Sequence, residues 1–292
     1  MTVARTPGGM RLAPVRRELR RNPTLAVGAA LLGLIALAAL AGPFVVPHAA
    51  DAGNATHPLE VLEGPSWTHP FGTDQVGRDI LTRVVFGARM SLVIVISVLA
   101  ISALIGVPLG LAAGYFGGIV DQVIMRITDV FLAFPALLLS LAIAFVFTPS
   151  VRNMTLAIAA TWWPWYARLV RGEAASVTRR GYIESCRVLG ISNLRVLFRH
   201  VLPNSMTPVM VQMSMDAGGV ILTAAAISFL GLGAQDPTPE WGLMVSQGAQ
   251  YFSTQWWFAT FPGLAILVTA MAFNLVGDGI REAVDPRRVL SR

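Results

Sequence analysis

The sequence has no lysine, a single cysteine and few charged residues of either sign. Charged residues make up only 13% of its 292 positions, compared with about 25% in soluble proteins. A phosphate-binding P-loop requires a lysine, so this chain contains no such loop. One cysteine, Cys186, excludes an internal disulfide. Hydrophobic residues reach 54%, and this composition predicts a multi-pass membrane protein.

The basic residues indicate how the chain is threaded through the membrane. All 22 of them are arginine, and the formal net charge is +6. Such a charge would suit nucleic acid, but 18 arginines fall in segments predicted to lie inside the cell and four in segments predicted outside. This asymmetry predicts cytoplasmic N- and C-termini and no nucleic-acid partner. The first apolar run, 25–46, is too long for a cleavable signal, whose apolar part is about 7–15 residues.

Six apolar runs are predicted to cross the membrane of the cell, which makes the fold class an all-α polytopic membrane protein. The predicted spans are 25–46, 90–115, 131–147, 154–170, 205–232 and 257–276. They divide the chain into a cytoplasmic N-terminal segment (1–24), a first span (25–46), an extracytoplasmic segment (47–87), a five-span core (88–277) that contains a cytoplasmic loop (172–204), and a cytoplasmic tail (278–292).

The extracytoplasmic segment contains two acid–base pairs with helical spacing, Asp74/Arg78 and Asp79/Arg83. A spacing of four residues is that of a side-chain ion pair on a helix, and no nucleophile accompanies the carboxylates. We therefore predict solvated ion pairs and no acid–base chemistry. Three of the four histidines also lie here, but their spacing is wider than metal sites usually show, so no metal site is predicted.

A polar and basic stretch, Glu184–Pro203, separates two apolar runs and is called the insert below. We predict a helix over 182–189, a turn at Gly190 with positive φ, and a second helix capped by Ser192 and ended by Pro203. The second helix carries an apolar stripe and two arginines on another face: Leu194, Leu197, Phe198 and Val201, with Arg195 and Arg199. By its pattern alone, the insert is either a docking element or a surface element that packs on its own membrane domain.

The insert resembles the "EAA" loop of ABC-importer permeases through Glu184, Gly190 and Leu202-Pro203. His200, followed by Val-Leu-Pro-Asn, is similar to the dipeptide, oligopeptide and nickel branch of that family. Ser185-Cys186 stand where the family usually has Ala-Ala, and both are also small. Further likenesses, in the expected order, are FGTDQVGRDILTRVVFGAR (71–89), AFP (133–135), FLGLGAQ (229–235), PTPEWG (237–242) and AFNLVGDG (272–279).

This resemblance implies a type I importer permease whose insert docks on a cytoplasmic ATPase. The implied contact residues are Glu184, Ser185, Cys186, Gly190, Leu194, Arg195, Phe198, His200, Leu202 and Pro203. The implied partners are a second, homologous permease, two ATP-binding subunits or one fused ATPase, and an extracytoplasmic substrate-binding protein. ATP and Mg²⁺ would be bound by the ATPases, so no cofactor is expected on this chain. The implied substrate is a peptide, with nickel or another small solute as the alternative.

One acidic residue, Asp216, falls deep inside a predicted span. It either holds its helix to the partner subunit or lines the path and meets the ammonium group of a peptide. Trp162 and Trp163 are further candidates for the path, whereas Trp165 and Tyr166 are interpreted as an interfacial belt. An ion-coupled transporter would need paired intramembrane acids and inverted repeats, and a membrane-bound enzyme would need a catalytic constellation. Neither pattern is found in the sequence.

Overall fold

The computed structural model describes residues 22–284, which form a bundle of helices joined by short connections. The helices are α1 (Pro23–Val45), α2 (Ile80–Phe116), α3 (Gly118–Leu132), α4 (Ala136–Val146), α5 (Val151–Thr178), α6 (Gly181–Val188), α7 (Asn193–Val196), α8 (Leu202–Phe229), α9 (Trp241–Ala249) and α10 (Trp256–Val284). A 3₁₀ turn spans Ala49–Ala52, and a π-helix, Leu197–Val201, joins α7 to α8.

Four helices are long and apolar enough to cross a membrane: α1, α2, the continuous helix 193–229 and α10. The predicted spans 25–46, 90–115, 205–232 and 257–276 fall largely within them. The prediction of a multi-pass helical membrane protein is therefore confirmed. α2 begins at Ile80, before the predicted end of the extracytoplasmic segment, so the stretch between α1 and α2 is residues 46–79 and is called the α1–α2 segment below.

The third and fourth predicted spans differ from simple crossings. Helices α3 and α4 meet at a bend of 88°, and only together do they pass as one broken span. The bend lies at 133–135, where Pro135 lacks an N–H and disfavours helix in the residue before it. The fourth predicted span lies in α5, which is long but less apolar and packs inside the bundle. The structure thus supports four to five spans among residues 22–284, and six stays a prediction.

The tightest helix pair in the core is α2 against α5, and glycines make it possible. Gly106, Gly110 and Gly114 are spaced four apart on one face of α2. A Cβ atom at each would collide with the main-chain carbonyl oxygen of Trp163, Ala167 or Arg171 in α5, respectively. Small residues at this spacing let two backbones approach closely inside a membrane. On the other side of the bundle, α10 packs against α8, α1 and α9.

The insert has the predicted helix and turn, but its end differs from the prediction. Helix α6 is followed by Gly190 with φ of +73°, and Ser192 precedes α7. Pro203 does not stop the second helix, so that prediction is wrong. The chain passes from α7 through the π-helix into α8, so Pro203 lies within a continuous helix, just after the π-helix ends. The insert is therefore continuous with a membrane helix.

Candidate functional site

The predicted apolar stripe of the insert is divided between the core and the surface. Leu197 and Val201 are buried, together with Val196. Leu194 and Phe198 are instead 64% and 61% exposed. The change from α-helix to π-helix shifts the angular position of successive side chains, so the i, i+3, i+4, i+7 pattern does not keep all four residues on one face.

The exposed part of the insert is a mixed apolar and charged surface. Its exposed large apolar side chains are Val188, Leu189, Leu194 and Phe198. The predicted contact residues Glu184, Ser185, Gly190, Arg195 and Pro203 are exposed as well. Cys186, His200 and Leu202 are half-buried, and Cys186 and Leu202 pack against the core. Apolar side chains that are grouped and exposed in this way mark an interaction surface.

One hydrogen bond joins the insert to the end of α2. The Tyr115 hydroxyl, at the end of α2, donates a hydrogen bond to Oδ1 of Asn193 at 2.8 Å. Ile183 of α6 is fully buried, and the rings of Tyr182 and His200 lie 6.2 Å apart. Because the insert is anchored to α2 and continues into α8, a displacement of the insert would be passed directly to two long helices.

Asp216 lies between α5 and α8 in a small polar cluster. Its Oδ2 accepts a hydrogen bond from the Tyr166 hydroxyl at 2.9 Å, and its Oδ1 accepts one from Nε2 of Gln212 at 2.9 Å. Tyr166 is fully buried, so its assignment to an interfacial belt is wrong. The Asp216 carboxylate is the polar partner that the hydroxyl of a buried tyrosine requires. The pair links two helices of this chain across 50 positions of sequence.

The two tryptophans predicted for the path differ in their surroundings. Trp162 is half-buried beside α8, where a Cβ added to Gly219 would lie 3.7 Å from its ring. Trp163 is 7% exposed and packs edge-to-face on Phe131 at 5.4 Å between ring centroids. Trp162 therefore lies on the same α5–α8 interface as Asp216, whereas Trp163 serves packing between α5 and α3 in this conformation.

The residues of both predicted ion pairs are buried, so the prediction that these pairs are solvated is wrong. Asp74, Arg78, Asp79 and Arg83 are each at most 2% exposed. Arg78 Nε donates to Asp74 Oδ2 at 2.7 Å, and its Nη2 donates to Asp236 Oδ1 at 2.9 Å. Arg83 approaches Asp74 at 3.6 Å instead of pairing with Asp79. Burial by itself raises the pKa of Asp236, but the hydrogen bond and charge of Arg78 hold it below its usual value.

Asp74 and Arg78 do pair, but residues 74–79 are not helical, so the pair does not lie on a helix surface as predicted. Residues 74–79 form a turn closed by a bridge between Thr73 and Asp79. Asp79 caps α2, since its Oδ2 accepts from the Thr82 amide at 2.8 Å, and its Oδ1 lies 3.1 Å from Nδ1 of His69. An Asp directly before a long apolar run is an N-cap signal that the sequence offered. Asp236 offered no such local signal, because it is 158 positions from Arg78.

The chain is similar to known transport proteins over most of its length. The profile of a family described as the binding-protein-dependent transport system inner membrane component matches residues 106–289. A second profile, described as the N-terminal TM domain of oligopeptide transport permease C, matches residues 12–65. Both matches agree with the resemblance of the motifs.

Three curated relatives cover nearly the whole chain. The dipeptide transport system permease protein DppC of Alkalihalophilus pseudofirmus is 41% identical over 271 residues, which are 93% of this chain and 88% of the relative. The glutathione transport system permease protein GsiD of Pectobacterium atrosepticum is 43% identical over 272 residues, 93% of this chain and 89% of the relative. The di/tripeptide transport system permease protein DppC of Pseudomonas aeruginosa is 42% identical over 260 residues, 87% and 85% of the two chains.

Among solved structures, the chain is similar to the MetNI methionine ABC transporter in an inward-facing conformation. The TM-score is 0.55 at 17% sequence identity, and the match covers 70% of this chain and 98% of the other. At this identity the likeness concerns the fold alone. It confirms the importer-permease fold that the motifs implied.

Proposed function

The chain belongs to the family of inner-membrane components of binding-protein-dependent transport systems, and from this premise we propose that it is one of two permease subunits of an ATP-driven peptide importer. Family membership makes it a transport permease and not an enzyme. It also excludes an ion-coupled transporter, which was the alternative considered from the sequence. The proposal adds the substrate, the partner subunits and the route by which energy reaches the membrane.

The exposed surface of the insert carries the proposal. Val188, Leu189, Leu194 and Phe198 are 84%, 78%, 64% and 61% exposed. The first two lie at the end of α6, outside the apolar spans, and the last two lie at the very start of the continuous helix 193–229. Leaving such side chains in water is unfavourable, and a partner surface would cover them. We assign that role to a cytoplasmic ATPase, either one of two subunits or part of a fused pair, which would bind ATP and Mg²⁺ because this chain lacks a P-loop.

The orientation follows from the same assignment. An insert that docks on a cytoplasmic ATPase lies inside the cell, so the N- and C-termini are inside and the α1–α2 segment and α9 are outside. An extracytoplasmic binding protein would deliver substrate to that outer face. Single cysteines at Ser192 and Thr238, after removal of Cys186, should react with an impermeant reagent from opposite sides. Equal labelling of both in intact cells would contradict this orientation.

Coupling through the insert is tested at Gly190. Its φ of +73° is a conformation that a β-branched residue resists at a cost of about 1–2 kcal/mol, although no other atom lies within 4 Å of the added Cβ. Gly190→Val should leave an assembled complex whose substrate-driven uptake falls by about tenfold. Gly172→Val is the matched control, because Gly172 lies in α5 without positive φ and also has no atom within 4 Å. Uptake that is equal in the two variants would remove the coupling role.

A peptide substrate is proposed because three relatives are named for dipeptides, di/tripeptides and glutathione, which all carry a free amino group. Asp216 is the acidic group on the α5–α8 interface that could receive such a group if Tyr166 and Gln212 release it. Asp216→Asn keeps the shape and removes the charge. Uptake of peptides with a free amino terminus should fall, while assembly and basal ATP hydrolysis persist. If uptake is unchanged, Asp216 serves only to join α5 to α8.

A further inference from the structure

The α1–α2 segment brings two histidines and an aspartate together at one point. His48 follows α1, His69 lies in the middle of the segment, and Asp79 caps α2. Each offers a ligand atom, and the three atoms lie within 4.8 Å of one another. His69 is 4% exposed, Asp79 is 1% exposed, and His48 is half-buried. The spacing of these residues along the sequence did not predict a metal site, because they come together only in the folded chain.

We propose that His48, His69 and Asp79 form a binding site for a divalent transition metal, with Zn²⁺ as the ion that suits it best. Two imidazoles and one carboxylate are a common set of three protein ligands for Zn²⁺, with water in the fourth position. Imidazole also accepts Ni²⁺ and Cu²⁺, whereas Mg²⁺ and Ca²⁺ require oxygen ligands. The donor set therefore selects the ion class.

The spacing of two ligand atoms already fits a metal. In a tetrahedral site with bonds of about 2.0–2.1 Å, neighbouring ligand atoms are roughly 3.3 Å apart. Nδ1 of His69 and Oδ1 of Asp79 are 3.1 Å apart. The ring of His48 lies at 4.8 Å from that of His69 between centroids and is tilted by 32°. Closing the site requires the ring of His48 to move toward Nδ1 of His69 and Oδ1 of Asp79.

One outer contact that would support a metal site is formed at Asp79, and a carboxylate lies near the outer nitrogen of His69, beyond hydrogen-bond distance. The second oxygen of Asp79 is held by the Thr82 amide at 2.8 Å, which fixes the carboxylate. The second ring nitrogen of His69, Nε2, lies 3.7 Å from Oε2 of Glu60. A carboxylate behind a ligating histidine orients the ring and raises its basicity. To bind a metal through Nδ1, His69 takes the neutral tautomer with its ring hydrogen on Nε2, the nitrogen that faces Glu60.

Such an ion would join the end of α1, the middle of the α1–α2 segment and the first turn of α2. Metal binding would therefore stabilise this segment as one unit, since the three ligands meet only in the folded chain. The site does not depend on the coupling role of the insert or on the peptide substrate. Its test and the tests of those roles can fail independently.

The test uses the whole purified transporter with a histidine-free affinity tag. After treatment with a chelator, the complex is titrated with Zn²⁺ against a fluorescent competitor, and bound zinc is counted by mass spectrometry. The wild type should hold one zinc more per copy of this chain than His48→Ala and His69→Ala. Glu60→Gln should retain the site with affinity lowered about 10–100-fold. Zinc should also raise the thermal unfolding midpoint of the wild type and leave that of His48→Ala unchanged.

The chain supplies its own controls, because it has four histidines in total. His57 bonds to Asp51 and His200 belongs to the insert, so His57→Ala and His200→Ala should keep the extra zinc. His48 is half-buried, and its variant should fold even if that of the buried His69 does not. Equal zinc content in the wild type and His48→Ala would overturn the proposal and leave His69 and Asp79 as a hydrogen-bonded cap of α2.

Discussion

The α1–α2 segment contains buried charges, and the insert contains exposed apolar side chains. The segment buries Asp74, Arg78 and Asp79 beside neighbouring carboxylates, guanidinium groups and a histidine. The insert leaves Leu189 and Phe198 in water. A buried charge is tolerated only when partners within the fold compensate it, whereas an exposed apolar group is compensated by a partner that arrives later. The buried charges of the segment are thus compensated within the fold, whereas the exposed apolar side chains of the insert are not, although the segment also exposes Leu59 and Trp67.

Removing Arg78 should have the largest effect on stability. Arg78→Ala would leave Asp74, which is fully buried, without its closest cationic partner. Breaking a buried pair from one side costs about 3–5 kcal/mol. We expect a marked fall in the thermal unfolding midpoint of the purified complex. Arg89→Ala is the matched control, since Arg89 is exposed on the same helix α2 and its loss should cost less than about 0.5 kcal/mol.

The other partner of Arg78 tests whether burial or charge decides that cost. The Asp236 side chain is 53% exposed, although its Oδ1 also accepts from Arg78. Asp236→Asn should therefore cost no more than about 1 kcal/mol, the range of solvated ion pairs. If Arg78→Ala costs as little stability as Asp236→Asn, the α1–α2 segment is less closed to water than its accessible surface indicates.

The insert contains both buried and exposed apolar residues, and two neighbours in the π-helix differ in this way. Leu197 is 8% exposed and Phe198 is 61% exposed. Leu197→Ala should destabilise the chain by about 2–5 kcal/mol, as for other leucines removed from a core. Phe198→Ala should change stability by less than about 0.5 kcal/mol, but should reduce the amount of ATPase that co-purifies with the membrane subunits. If Phe198→Ala retains the ATPase fully, this part of the insert is not the docking surface.

Local patterns predicted what local interactions determine. The helix and turn around Gly190 were predicted, because a glycine between two short helical patterns fits only a few geometries. The apolar runs likewise located four membrane helices, although two of these helices, from Ile80 and Asn193, begin 10 and 12 residues before the predicted spans. The break between α3 and α4 was not predicted, although Pro135 marks it. From the sequence, an apolar run that continues across a proline is predicted as one span, because the sequence does not show whether the backbone bends there.

Pairs between distant residues were outside the reach of the sequence. Tyr166 was interpreted from its aromatic neighbours, but its hydroxyl binds Asp216 in another helix. Arg78 was paired with Asp74 correctly, yet its second partner, Asp236, comes from the loop before α9. Periodicity assigns a side chain to a face of its own element. It carries no information on which distant element covers that face.

A small effect with a defined pH dependence is expected for His57, whose side chain is 41% exposed and bonds through Nε2 to Asp51 at 2.9 Å. The hydrogen bond to Asp51 raises the pKa of His57 above its usual 6.5, against a smaller opposing effect of burial. A raised pKa in the folded state means that the charged histidine stabilises the fold. This contribution is fully present below about pH 6.5, the value of the unfolded chain, and is lost as the pH rises through the higher folded value.

Because His57 is partly exposed, solvent screening limits the contribution to less than about 1 kcal/mol. The difference in unfolding midpoint between the wild type and His57→Gln should therefore be small at acidic pH and should vanish as the pH rises past the folded pKa. Chelator in both samples keeps the measurement independent of any metal at His48 and His69. A difference in unfolding midpoint that persists or grows with rising pH would contradict this expectation. It would mean that neutral His57 stabilises the α1–α2 segment through packing.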